Sequence, residues 1–82
     1  MKKNEIEKKV FYIILNEVKS KAKTITINTN VREFGWSLAD IVEVISALEL
    51  AFKITPDEEI GFILRFGSIN NLIDYIYKKM EK

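Results

Sequence analysis

Residues 34–52 read FGWSLADIVEVISALELAF, and the point at which this stretch turns helical decides what the chain can be. Apolar side chains recur at Leu38, Ile41, Val42, Ile45, Leu48 and Phe52, the spacing of one helix face. Gly35 ends the preceding connection. Ser37 then reads as the N-cap, with Asp40 three residues on as a short-armed version of the capping-box acid. Trp36, just before the cap, is placed to staple onto Ile41 in the first turn. A cap of this kind contributes about 1 kcal/mol, which is reason enough for a serine here.

Working outward, Asn4 followed by Glu7 predicts a capped first helix over residues 5–19, with Ile6, Val10, Ile13, Ile14 and Val18 on its apolar face. Thr24, Ile25, Thr26 and Ile27 alternate like a strand, but no partner strand is evident and a lone strand cannot satisfy its backbone. They are expected to form an extended loop whose isoleucines pack on the helices. Thr55 as a cap, Pro56 at the first helical position and the acids Asp57, Glu58 and Glu59 predict a short third helix, ended by Gly67. Ser68 caps a fourth helix, with Ile69, Leu72, Ile73, Ile76 and Met80 facing inward. The expectation is an all-α, four-helix bundle forming one domain over residues 1–82, with a long loop between its first two helices.

Composition narrows the chemistry. With 82 residues there is room for one small core, and 48% hydrophobic residues suffice to fill it. The absence of cysteine rules out disulfides and thiolate metal sites, and the absence of histidine removes the commonest general base and metal ligand. We therefore expect no enzymatic activity of its own. No apolar run approaches the ~18 residues of a membrane span, and the N-terminus lacks the pattern of a secretion signal, so a cytoplasmic location is expected. Thirteen basic and twelve acidic residues nearly cancel, yet they are unevenly placed. Residues 1–23 carry seven lysines against Glu5, Glu7 and Glu17, whereas residues 36–52 carry Asp40, Glu43 and Glu49 and no base.

The order of these features resembles the acyl carrier protein family across nearly the whole chain. Phe34-Gly35, Val42-Glu43, Ala47-Leu48-Glu49, Phe52, Pro56-Asp57-Glu58-Glu59 and Asp74-Tyr75-Ile76 follow that family's layout in sequence. The resemblance implies a carrier fold in which a serine at the start of the second helix is esterified to 4′-phosphopantetheine by a phosphopantetheinyl transferase. It also implies docking, through that helix, to the enzymes of fatty-acid, lipid or polyketide biosynthesis. On this chain the attachment residue would be Ser37 and the docking residues Trp36, Leu38, Asp40 and Glu43. The acyl chain would enter a cavity lined by Ile45, Leu48, Phe62 and Ile73, which the longer stretch over residues 56–68 helps to close.

The motif is shifted by one residue. In the family two residues separate the glycine from the serine, whereas here only Trp36 separates Gly35 from Ser37. A gapless count places Leu38 at the modified position and Ser37 on the family's aspartate. Adding a residue inside the helix would rotate everything beyond it by about 100° and turn the apolar face from the core. Two functions stay open: a carrier with its arm on Ser37, or a carrier-fold scaffold without the arm. Leu38 and Trp36 likewise read either as first-turn core and staple or as an exposed docking patch. A nucleic-acid binder is a third class, but Lys2, Lys3, Lys8, Lys9 and Lys19 are spread out, lack base-reading neighbours and face an acidic helix. No nucleic-acid partner is expected, and the bundle is expected to be monomeric.

Overall fold

The computed structural model describes residues 2–17 and 25–80, so that Val18, Lys19 and Thr24 of the expected first helix and loop lie outside them. Among the described residues four α-helices follow one another: α1 (Lys3–Glu17), α2 (Leu38–Phe52), α3 (Glu58–Phe66) and α4 (Ile69–Met80). No helix among the described residues is long and apolar enough to cross a membrane. The helices share one core. Ile6, Val10 and Ile14 of α1 meet Val44 and Leu48 of α2, Ile60 and Leu64 of α3, and Leu72, Ile73 and Ile76 of α4 in a single buried cluster.

The helix starts show how local chemistry sets the boundaries. α1 begins earlier than the Asn4–Glu7 pairing predicts, because the Lys2 backbone N–H donates to the Glu5 carboxylate at 2.9 Å and Asn4 falls inside the helix. α3 also differs from expectation. Its cap is Asp57, not Thr55, and Pro56 precedes the helix. The Asp57 carboxylate accepts from the Glu59 N–H at 3.1 Å and from the Tyr75 hydroxyl at 2.7 Å, while Lys79 Nζ lies 2.9 Å away. Capping at residue 57 thus ties α3 to α4, a tertiary reward that Thr55 could not collect. α4 opens as expected: Ser68 Oγ accepts from the Asn71 N–H, and Asn71 Oδ1 accepts from the Ser68 N–H.

The long connection holds an element that the loop assignment lacked. Val31–Phe34 form a 3₁₀ turn that buries Val31 and Phe34. Asn30 Oδ1 accepts from the Arg32 N–H, and Glu33 reaches back to the Asn30 N–H, a reciprocal box that satisfies the exposed donors of this turn. Just upstream, Ile25 is half-buried against the core as expected, whereas Ile27 sits in a turn with its side chain exposed. Among the described residues there is, in place of a strand pairing, a single bridge, between Asn30 and Ser68.

The apolar face of α2 also needs correction. Its buried residues are Ile41, Val44, Leu48 and Phe52, with Ile45 half-buried. Leu38 and Val42, expected on that face, are 65% and 60% exposed. The helix closes on Lys53, which takes up a left-handed conformation (φ 54°) that ordinarily costs a non-glycine residue about 1–2 kcal/mol.

Two stability measurements test this packing. A Cβ on Gly67 would stand 2.9 Å from the Ile63 carbonyl oxygen, whereas one on Gly61, inside α3, would meet nothing within 4 Å. Gly67→Ala should therefore lower the urea-unfolding free energy by about 1–3 kcal/mol. Gly61→Ala should raise it by up to about 1 kcal/mol. The second measurement concerns pH. Lys79 first, and then the Tyr75 hydroxyl, hold the Asp57 carboxyl down from 3.8 to about 2. A depressed carboxyl stabilises the fold above its unfolded value and loses that effect as pH falls through the folded one. The Tm gap between the wild type and Asp57→Asn should be constant above pH 3.8 and shrink as pH falls toward about 2.

Candidate functional site

The start of α2 is held from both sides. Gly35, at φ 66° and ψ 34°, ends the 3₁₀ turn in a left-handed conformation that a side chain would strain. Its N–H donates to the Arg32 carbonyl at 3.3 Å. Two residues later the chain is extended at Ser37 and α2 begins. Ser37 Oγ accepts from the Asp40 N–H at 3.2 Å, and the Asp40 carboxylate accepts from the Ser37 N–H at 2.9 Å. Both halves of the capping box form, so the serine oxygen is directed back over the first turn although the residue is exposed at the surface.

Around this cap lies a small apolar neighbourhood. The Trp36 ring packs on Phe34, with centroids 4.8 Å apart. Its indole Nε1 is buried without a protein acceptor, an arrangement that typically costs about 1–3 kcal/mol. Trp36, Leu38 and Ile41 line one groove with Leu64 and Phe66 of α3, of about 410 Å³, and Arg32 and Arg65 stand along it. Leu38 therefore belongs to a surface patch and not to the core.

The expected site residues separate into three groups. Trp36, Ser37, Leu38 and Asp40 cluster at the start of α2, but the carboxylate of Asp40 is committed to the cap. Glu43 and Glu49 are exposed farther along the helix. Of the residues expected to line an acyl cavity, Leu48 and Ile73 are fully buried in the core and Ile45 is half-buried. Phe62 is 65% exposed, pairs with Phe66 at 5.1 Å and lines an open groove between α3 and α4. The four do not share one lining. Among the described residues, no group of three or more acidic side chains is gathered as for a metal ion.

A second apolar surface was not anticipated. Tyr12 of α1 and Val42 and Leu50 of α2 line a groove of about 690 Å³ floored by Ser46, Ala47 and Ala51. Tyr12 and Leu50 are 67% and 80% exposed. The signal was present in the sequence as apolar residues at positions 42 and 50, about 80° apart around the helix, the first of which the expected core face had absorbed. Comparison with protein-family models, curated proteins and solved structures found no match.

The capping role is directly measurable. Ser37→Ala should cost about 1 kcal/mol in urea unfolding, whereas Ser37→Asp, which keeps an acceptor at the cap, should stay close to the wild type.

Proposed function

We propose that the chain is a non-enzymatic, carrier-type docking subunit that does not itself bear phosphopantetheine. The observation that supports this most is the complete capping box at residues 37 and 40. It supports the gapless count, in which the position matching the family's modified serine is Leu38, a side chain with no hydroxyl to esterify. The side chains at this helix start therefore suit a closed, capped turn and do not suit a phosphodiester-linked arm. What the site offers instead is recognition: exposed Leu38 beside half-buried Trp36, with Glu43 and Glu49 the exposed charges of a helix that carries no base. Arg32 and Arg65 flank the groove of Leu38 and Trp36, with Glu43 and Glu49 farther along α2, which favours a partner surface with a hydrophobic contact and charges of both signs, since complementary charge raises encounter rates and fixes register. Acyl-transferring biosynthetic enzymes are the partners this reading names, in the cytoplasm.

The carrier reading, with the arm on Ser37, draws support from one observation, the exposure of that serine at the helix start. A phosphopantetheinyl transferase would first have to draw the oxygen out of the cap. In-line attack on a phosphoryl centre is also sensitive to placement, with an error of 1 Å costing about 100-fold. Incubation with coenzyme A and a broad-specificity transferase, followed by intact-mass measurement, separates the two. The docking reading expects no gain in mass. A gain of one phosphopantetheine that disappears in Ser37→Ala would establish the carrier instead.

A further inference from the structure

The groove between the start of α2 and the end of α3 differs from the others in its charge. All but two of the chain's thirteen basic residues are lysines. The two arginines, Arg32 and Arg65, both line this groove, beside the only tryptophan, Trp36. They arrive from separate elements, Arg32 from the 3₁₀ turn and Arg65 from the last turn of α3. No acidic side chain shares the lining. The two larger grooves mix signs, Lys9 with Glu43 in one, Lys78 and Lys79 with Glu59 and Asp74 in the other. The carboxylates closest in sequence, Glu33 and Asp40, are both committed to capping boxes. The ion pairs among the described residues, Lys3–Asp74 and Lys79–Asp57, include neither arginine.

Given the docking reading of the α2 start, on which this rests, we infer that the groove takes an acidic segment of the partner protein: one bulky apolar side chain flanked by carboxylates. A guanidinium presents a planar fork of donors that a carboxylate meets through two parallel hydrogen bonds, whereas an ammonium is a compact, strongly hydrated point charge. A cation at the end of α3 suits the helix dipole, but lysine would serve that purpose equally. Recognition of carboxylates accounts for arginine at these two positions alone. Beside them, Leu38 and Phe66 are 65% and 54% exposed and line the same groove. Apolar surface next to arginine and tryptophan is the composition of a binding hot spot. At about 410 Å³ the groove suits an anchoring side chain and not a whole helix. A nucleic-acid backbone fits it poorly. That ligand needs a stripe of cations, and here two arginines are followed along α2 by the exposed acids Glu43 and Glu49.

Selection from a phage-displayed library of random dodecapeptides against the full chain, followed by titration of the selected peptides, tests this. With peptides that contain no tryptophan, the emission of Trp36 reports on this groove alone. The enriched peptides should carry phenylalanine, leucine or methionine between aspartates or glutamates. They should shift the Trp36 emission on binding and lose affinity as salt rises. Arg32→Lys and Arg65→Lys, which keep the charge and lose the fork, should each weaken binding about tenfold. Arg65→Glu should weaken it about 100-fold with the far-ultraviolet spectrum unchanged, whereas Lys78→Glu, in the groove between α3 and α4, should have no effect.

No enrichment, enriched peptides free of acids, binding indifferent to Arg65→Glu, or a Trp36 emission unmoved at saturation would overturn the inference. So would preferential binding of oligouridylate or decanoate through the same arginines, which would assign the groove to nucleic acid or to a small amphipathic anion. Failure of the docking reading shows separately, as a phosphopantetheine mass gain that Ser37→Ala removes, whatever the peptides do.

Discussion

Residues 27–31 run across the junction of α3 and α4 and close it with backbone hydrogen bonds. The Ile69 N–H donates to the Thr29 carbonyl, the Asn70 N–H to the Ile27 carbonyl, and the Val31 N–H to the Gly67 carbonyl. Asn30 adds its side-chain amide to the Phe66 carbonyl. The first N–H groups of a helix and the last carbonyls of the one before it have no partners within their own helices, and burying them unpaired is costly. Here the long loop supplies those partners. The clasp thus ends α3, starts α4 and anchors the loop at once. The close approach of Gly67 to Ile63 belongs to the same constraint, since any side chain there would push the junction apart.

Everything downstream of the clasp inherits its position. The 3₁₀ turn follows immediately, seats Val31 and Phe34 in the core, and delivers the chain through left-handed Gly35 to Trp36 and Ser37. By then little freedom remains in where α2 starts or how it is rotated. A one-residue shift would turn the helix by about 100° and carry Val44 and Leu48 out of the core. The cap at Ser37 is therefore the local expression of a tertiary constraint. That link, from a loop's hydrogen bonds to the identity of one side chain at a helix start, is what connects the fold to the choice between carrier and scaffold.

How much of this could be read in advance depended on the range of the physics involved. The boxes at Ser37–Asp40 and Ser68–Asn71 involve residues three apart, and the former was legible in full. The box at Asn30–Glu33 obeys the same rule and could have been read from those two residues. It was obscured by the strand-like alternation just before it. The cap of α3 was not legible, because Thr55 and Asp57 are equivalent caps on paper and only the contacts of Asp57 with Tyr75 and Lys79 separate them. The inward face of α2 was ambiguous for another reason. With apolar residues at 38, 41, 42, 44, 45, 48, 50 and 52, two overlapping stripes satisfy the helical period, and only the other helices select Val44 over Val42. An acyl cavity is less legible still, being a property of what four helices leave unfilled.

A chain of this length can bury only about 60% of its surface, so large apolar side chains left in water weigh more heavily than they would in a bigger protein. Isolated exposed apolar residues need no explanation. Leu38, Val42 and Leu50 are not isolated in this sense. Val42 and Leu50 line one groove with Tyr12 of α1, and Leu38 lines another with Trp36. The core had alternatives: exchanging Val42 or Leu50 for lysine or glutamate would cost no buried contact and would reduce the tendency to associate. Helix propensity does not explain the pattern either, since valine is a poorer helix former than the charged residues it displaces. The exposed apolar residues of α2 thus lie outside its filled inner face, where neither the core nor helix propensity calls for them.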